Sequence, residues 1–356
     1  MKSKNKVTMK DLANELGLSV SVVSRALSAK PGTFRISDTT LQAVREAAKE
    51  RGFTPNQLAR GLRLRKSHTI GLLIPDISNM FFSDVARSVE NCARRRGYSI
   101  ILCDTENSEE IEKTSLAVLL ARKVDGFIVA PVSESADCTH LLALLEDETP
   151  IVLLDRFFPN APLPYVTSDN RGGGYQGTRH LLERGHRDIG FVQGIPSSQT
   201  NLDRLAGYKA ALKEFNVPFR KDFVAGDEFA DRSGYDSALA LLRLRRKPTA
   251  LFVTSSVGAL GAMRACAENG IRIPDDVSLV AFDEYPYAAL LTPPLTTIAQ
   301  QTLAIGRAAC DLLLDWLDGV DTPAGRRVVL GTTLVPRASV RMLDAAPPVA
   351  PTTAAP

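Results

Sequence analysis

Thr8-Met9-Lys10-Asp11-Leu12-Ala13-Asn14-Glu15-Leu16-Gly17-Leu18-Ser19-Val20-Ser21-Val22-Val23-Ser24-Arg25-Ala26-Leu27 reads as two short helices joined by a tight turn. Thr8 offers a hydroxyl to an orphan backbone N–H, and Asp11, three residues on, lies near the positive helix end. Met9, Leu12, Ala13 and Leu16 recur at helical spacing and make one apolar face. Gly17 tolerates the left-handed conformation that ends a helix, and Ser19 is a fresh N-cap. In the second helix Val23 and Leu27 take the buried side. Two short helices about a glycine-containing turn make a helix-turn-helix. Val20, Ser21, Ser24 and Arg25 then project from the exposed side or N-terminal end of the second helix, where side chains meet base edges. Arg25 can donate two hydrogen bonds to a guanine; a phosphate contact or a plain surface charge is the alternative.

Ser37-Asp38-Thr39-Thr40 caps a third helix, with Leu41, Val44, Ala47 and Ala48 inward, ending at Arg51-Gly52. In the next stretch, Phe53 to Arg63, Pro55 fixes the entry and Asn56 caps a helix of about two turns, marginal alone with Gly61 inside it. Two readings stay open: Leu62 wedges between base pairs in a minor groove, or the stretch is a linker and Leu62 packs on the body. Charge supports a polyanion partner. Residues 1–66 carry fourteen Lys/Arg against five Asp/Glu, a balance of +9, while the remainder carries twenty-nine against thirty-five, or −6.

From Ile70 onward the pattern alternates. Short β-branched runs at 70–74, 99–103, 126–129, 151–154, 189–192, 250–254 and 277–282 are separated by amphipathic stretches at 82–96, 110–122, 172–184, 204–215, 233–244 and 258–269. Such alternation predicts parallel sheets flanked by helices. The set divides near residues 160–168 into two similar halves, which predicts two lobes with a ligand between them at strand carboxyl ends. Asp155-Arg156, Ser255-Ser256 and Asp283-Glu284 each follow a strand, and Arg204 is read as beginning a helix after the loop 194–201. Carboxylates with an arginine hold hydroxyls through paired hydrogen bonds, and Phe82 or Phe229 can stack on an apolar ring face. The alternative is that Asp155 and Arg204 are structural caps or ion pairs.

These residues together resemble the lactose/galactose repressor family of transcription regulators. The resemblance rests on 7–13, Gly17-Leu18-Ser19, Val23-Ser24-Arg25, Phe53-Thr54-Pro55-Asn56, 70–76, Asp169-Asn170-Arg171-Gly172-Gly173, Arg204-Leu205-Ala206-Gly207-Tyr208, 273–278 and 293–298, and it covers about residues 7 to 340. It implies a small all-α helix-turn-helix head on an α/β bilobed, periplasmic-binding-protein-like body of two doubly wound parallel sheets, with crossings near 160–168, 295 and 330. The corresponding domains are 1–54, a hinge helix and linker at 55–67, an effector-binding and dimerisation body at 68–341, and a Pro/Ala-rich tail at 342–356 expected to be disordered. It further implies a homodimer on pseudo-palindromic double-stranded operator DNA, with Leu62 inserted at the centre. The DNA-facing candidates are thus Thr8, Ser19, Val20, Ser21, Ser24, Arg25, Asn56, Ala59 and Leu62. The effector candidates are Phe82, Asp155, Arg204, Phe229, Ser255, Asp283 and Gln300; the resemblance matches Arg204 and Asp283, and then Gln300 and Asp155, to effector-holding positions.

The chain departs from the family in three places. The stretch 29–35 is longer than in many members and is more like the loop of fructose and sucrose regulators. Val20 and Ser21 are not the bulkier polar pair of the lactose repressor. Ser255-Ser256 replaces a frequent Asn-Asp pair, and short hydroxyls cannot accept bidentate hydrogen bonds, so a sugar, sugar acid or phosphorylated sugar different from the familiar inducers is expected. Carbohydrate-utilisation genes are the expected target.

Other classes fit poorly. No catalytic triad, Walker loop or paired acids stand out, so an enzyme is not expected. Gly172-Gly173-Gly174-Tyr175-Gln176-Gly177 fits a dinucleotide fingerprint formally, but the preceding 165–169 run is short, and helix packing by small residues is the better reading. Five scattered cysteines and four histidines lack ligand spacing, so neither disulfide framework, metal nor cofactor is expected. An exported sugar receptor conflicts with the basic head and with the lack of a signal peptide or a long apolar run. A bacterial cytoplasmic location, on the nucleoid when DNA-bound and with no membrane partner, is expected. No leucine heptad marks the tail, so a coiled-coil tetramer is not expected.

Overall fold

Helices α1 (Met9–Leu16), α2 (Val20–Ser28) and α3 (Asp38–Glu50) bury Leu12, Ala13, Val23, Ala26, Val44, Ala47 and Ala48 against one another. Leu27 and Leu41 are only partly buried, at the edge of that core, and Phe53 packs beside them. The structure, a computed structural model, describes residues 7–28, 36–53, 66–133, 137–320 and 325–343. The chain forms two compact units, Met1–Ser67 and His68–Pro356. The expected hinge residues Asn56, Ala59 and Leu62, the long loop 29–35 and the tail from 344 lie outside the described residues.

The caps are the ones the sequence calls for. Thr8 accepts from the Asp11 N–H while the Asp11 carboxylate accepts from the Thr8 N–H at 2.8 Å, a reciprocal capping box. Gly17 sits at φ +64°, where a side chain would be strained, and its N–H closes the end of α1. Ser37 caps α3.

The body holds two six-stranded sheets. The first contains β1 (Thr69–Ile74), β2 (Ser99–Asp104), β3 (Gly126–Val129), β4 (Ile151–Leu154), β5 (Tyr165–Ser168) and β11 (Arg327–Leu330), in the order β11-β5-β4-β3-β1-β2. Its pairs are all parallel. The second contains β6 (Ile189–Val192), β7 (Val224–Ala225), β8 (Ala250–Val253), β9 (Ser278–Phe282), β10 (Thr296–Ala299) and β12 (Thr333–Val335), in the order β12-β10-β9-β8-β6-β7, with only β12 antiparallel. Their central strands are buried throughout and almost wholly apolar, because helices cover both faces.

The covering helices are α4 (Met80–Arg95), α5 (Glu109–Ala121), α6 (Thr139–Glu146), α7 (Asn170–Glu183), α8 (Gln199–Glu214), α9 (Asp231–Leu242), α10 (Ser256–Glu268) and α11 (Thr302–Leu317). Although it follows β10 of the second sheet, α11 packs on α4 and on β4 of the first. The chain therefore crosses between lobes at 169, at 300–301 and at 331–332, so the crossing expected near 295 falls after β10.

Two local expectations are corrected. Arg204 does not begin a helix: α8 starts at Gln199, and Arg204 lies in its second turn. β5 does lead into the glycine-rich stretch, through Asp169, whose side chain caps α7. Helix packing is nonetheless what those glycines serve. A Cβ at Gly173 would meet the Phe282 ring at 2.7 Å, and one at Gly177 the Phe252 ring at 2.9 Å. Gly174 faces the Arg204 backbone too closely for any side chain.

Candidate functional site

The head presents a half-exposed edge along α2. Val20 is 45 % exposed, Ser21 and Arg25 are exposed, Ser24 is intermediate, and Val23 and Ala26 face the core. Ser19 accepts from the Val22 N–H at 3.3 Å and its hydroxyl lies 2.9 Å from that of Ser21, so the start of α2 is held by two short polar side chains. Ser19, Val20, Ser21, Ser24 and Arg25 thus form one contiguous surface. Thr8 is exposed, but its hydroxyl already donates to Asp11 at 2.7 Å.

The body brings all seven effector candidates to one cleft between the sheets. Phe82, Asp155, Arg204, Phe229, Ser255, Asp283 and Gln300 line it together with Asn79, Phe81, Arg156 and Thr200. The reason is topological: Asp155 follows β4, Ser255 follows β8 and Asp283 follows β9, so each sits at a strand's carboxyl end. Asp155 (φ +61°) and Asp283 (φ +77°) both take left-handed backbone, an uncommon state outside glycine that costs roughly 1–3 kcal/mol and gathers at functional sites.

Two buried guanidiniums face the cleft, each 4 % exposed. Arg204 donates from Nε to Asn170 Oδ1 at 2.8 Å and from Nη1 to the Thr254 carbonyl at 2.5 Å, and lies 3.7 Å from the Phe282 ring centroid. Arg156 donates to the Val132 and Pro131 carbonyls at 2.7 and 3.2 Å. That turn is held in its place from behind, since buried Glu112 accepts from the Val132 N–H at 2.8 Å and pairs with His140 at 2.7 Å. The Phe229 ring sits between the guanidiniums, 5.9 Å from Arg156 and 5.8 Å from Arg204.

Asp283 accepts from the Ser256 N–H at 3.2 Å through Oδ2 and from Gln300 Nε2 at 2.5 Å through Oδ1. The other end of that amide, Gln300 Oε1, is buried with no hydrogen-bond partner. A buried acceptor left unmade costs about 1–3 kcal/mol, which a ligand hydroxyl would recover. Ser255 lines the cleft but is also the cap of α10, accepting from the Gly258 N–H at 3.1 Å. The free space is about 30 Å³, a few waters' worth.

Asn79 and Thr200 were not anticipated. Both come from helix starts: Asn79 caps α4, accepting from the Phe81 N–H, and Thr200 is one helical turn before Arg204. Spacing i, i+4 back from Arg204 is the signal that would have found Thr200. Among the described residues no group of three or more His, Cys, Asp or Glu is arranged to hold a metal ion, and no helix is long and apolar enough to cross a membrane.

Known proteins match both units. Residues 8–56 match the family model "Bacterial regulatory proteins, lacI family", and 178–340 match the periplasmic binding protein-like domain. The HTH-type transcriptional repressor PurR of Edwardsiella ictaluri is 37 % identical over 311 residues, covering 86 % of this chain and 89 % of that protein. A crystal structure of the lac repressor dimer bound to operator and the anti-inducer ONPF superposes with a TM-score of 0.82 at 28 % identity, covering 95 % of this chain and all of the other. A LacI family transcriptional regulator from Enterococcus faecium with bound ribose gives a TM-score of 0.70 at 30 % identity over 78 % of this chain and 100 % of that one.

Proposed function

The chain belongs to the lacI family of bacterial regulatory proteins, and on that premise we propose that it acts as a homodimeric repressor on a pseudo-palindromic operator, released or engaged by a polyhydroxylated effector. That it is a DNA-binding transcription regulator with an effector-binding body, and not an enzyme, follows from the family itself. The finer reading is ours. Ser19, Val20, Ser21, Ser24 and Arg25 read bases, Thr8 approaches the backbone, and Asn56, Ala59 and Leu62 form a DNA-ordered hinge. The cleft takes a sugar, sugar acid or sugar phosphate, and the regulated genes serve carbohydrate use. It works in the cytoplasm, where the DNA is.

The observation that carries the ligand class is the polar constellation on Asp283. A carboxylate already ordered by Ser256 and Gln300, with Gln300 Oε1 waiting for a donor, suits vicinal hydroxyls. The two guanidiniums suit an acidic substituent on the same ligand. A second reading has its own support: the Phe229 ring lies between two guanidiniums, so the same slot accepts a flat nucleobase. Either ligand acts only through a difference in affinity between the two lobe arrangements.

Thermal melting of the full chain against sugars, sugar acids, sugar phosphates, nucleobases and nucleosides decides between them, because a ligand that binds the folded state raises the midpoint by mass action. A shift with a hydroxylated ligand, lost in Asp283→Asn, supports the first reading. A shift with nucleobases alone replaces it with the second.

A further inference from the structure

Helices α4 and α11 run side by side on the first sheet, and one glycine sets how closely. A Cβ at Gly306 would lie 2.6 Å from the Val85 carbonyl oxygen and 2.7 Å from the Ser88 Cβ. Ser88 Oγ also donates to the Leu303 carbonyl at 2.6 Å. With Ser88 against Gly306, the next turn of each helix places Cys92 against Cys310. With one carbon–carbon bond on each side of that 2.7 Å, the Ser88 and Gly306 Cα atoms are at most about 5.8 Å apart, under the limit of about 6.8 Å for a disulfide. The thiols one turn on are neighbours, with Cys92 packed on the core that contains Cys310.

The two sulfurs differ in access. Cys310 is fully buried, whereas Cys92 is half-buried and opens into a groove of about 810 Å³ also lined by Ser88, Asn91, Arg95 and Arg307. They differ in acidity in the same sense. The hydrogen bond from the Cys310 thiol holds Cys92 below the ordinary thiol value, against its partial burial and Asp311, and the same bond with burial pushes Cys310 up. The Cys92 thiol donates to Asp311 Oδ1 at 3.2 Å, and Arg96 stands near both, itself held by Asp315 at 2.9 Å and Asp318 at 2.7 Å. An accessible, more acidic thiol beside a buried one is the arrangement of an attacking and a resolving cysteine.

We propose that Cys92 and Cys310 are a hydroperoxide-sensitive thiol pair that closes reversibly into a disulfide, tying α4 to α11. The Cys92 thiolate attacks one peroxide oxygen. The O–O bond breaks, hydroxide leaves and takes up a proton as water, and Cys92 becomes a sulfenic acid. Cys310 then gives up its proton and attacks that sulfur. The S–O bond breaks, the S–S bond forms and a second water leaves, so two electrons pass from two thiols to one hydrogen peroxide. A dithiol reverses the step. The bond fixes the helix that begins directly after the 300–301 crossing, two residues from Gln300 and its bond to Asp283.

The test is graded hydrogen peroxide on the reduced full chain, read by thiol titration and peptide mass. Titratable thiols of the unfolded protein should drop from the five of the sequence by two. Trypsin should release residues 88–94 linked to residues 308–326. The melting midpoint should rise by several degrees and return with dithiothreitol. In Cys310→Ser, Cys92 should stop at a sulfenic acid that dimedone traps; in Cys92→Ser, Cys310 should stay reduced at the same dose. The second variant alters the less buried site and so guards against misfolding of the first. Five thiols remaining, a cross-link between two chains through Cys92, or oxidation of Cys310 without Cys92 would each overturn the proposal.

Discussion

Gly194 and Phe229 share one space: any side chain at 194 would overlap the ring of 229. The ring therefore holds its place between Arg156 and Arg204 only because residue 194 has no Cβ. Gly194→Ala should displace the ring and weaken effector binding about fivefold, the loss of one aromatic contact of roughly 1 kcal/mol. Calorimetry with the ligand found by melting measures it. Tighter binding would mean that Phe229 blocks the cleft rather than stacks on its occupant.

Asp283→Asn separates ligand binding from folding. Asn tolerates the left-handed backbone at φ +77°, so the turn survives; its carbonyl oxygen still accepts one of the bonds from Gln300 and Ser256, but the NH2 in the other oxygen's place cannot accept the second. Stability should fall by about 1–2 kcal/mol, while the effector-induced rise in melting midpoint disappears. A retained ligand shift would remove Asp283 from the site.

Operator binding carries three expectations. Arg25→Ala should cost about 1–3 kcal/mol on the cognate site and far less on random DNA if Arg25 reads a guanine; equal losses would make it a phosphate contact. Leu62→Ala should likewise weaken specific binding more than non-specific binding, and log affinity should fall steeply with log salt. Fluorescence anisotropy at several salt concentrations reads all three.

His186 sets a pH dependence. Burial pushes its pKa down to about 4 from 6.5; a hydrogen bond with the Arg341 backbone opposes the shift, and the charges of Arg341, His180 and Arg184 add to it. The folded state therefore keeps the ring neutral, hydrogen-bonded to Thr249 at 2.9 Å, while the unfolded chain takes up a proton below pH 6.5. The contribution is whole above pH 6.5 and is lost as pH falls toward 4. His186→Asn should flatten the melting midpoint across that window; an unchanged slope would assign the dependence to other groups.

What was legible in the sequence had local causes. Thr8, Gly17, Ser19 and Ser37 mark helix ends by their own chemistry, and the runs of β1, β3, β4, β8 and β9 are almost wholly apolar because helices bury both faces. The cleft residues were legible where they directly follow those strands. Arg204 was misplaced as a helix start because Thr200 and Asn201, buried polar residues, disguise the first turn of α8. The lobe to which α11 belongs was not legible at all. Nothing local in residues 302–317 tells a helix to pack on a sheet whose last preceding strand ended at Ser168.

The third crossing has a consequence for synthesis. β11 closes the edge of the first sheet and β12 the edge of the second, with only Gly331 and Thr332 between them. Neither lobe is a contiguous length of chain, and both wait for their final strand until residues 327–335 have been made. A chain that has been made through β10 but not to residue 327 has two unfinished sheets, with β5 and β10 each left as a bare edge open to the wrong neighbour. Neither lobe can be exchanged with a relative's by a single cut and splice; a working chimera would need its joints at all three crossings.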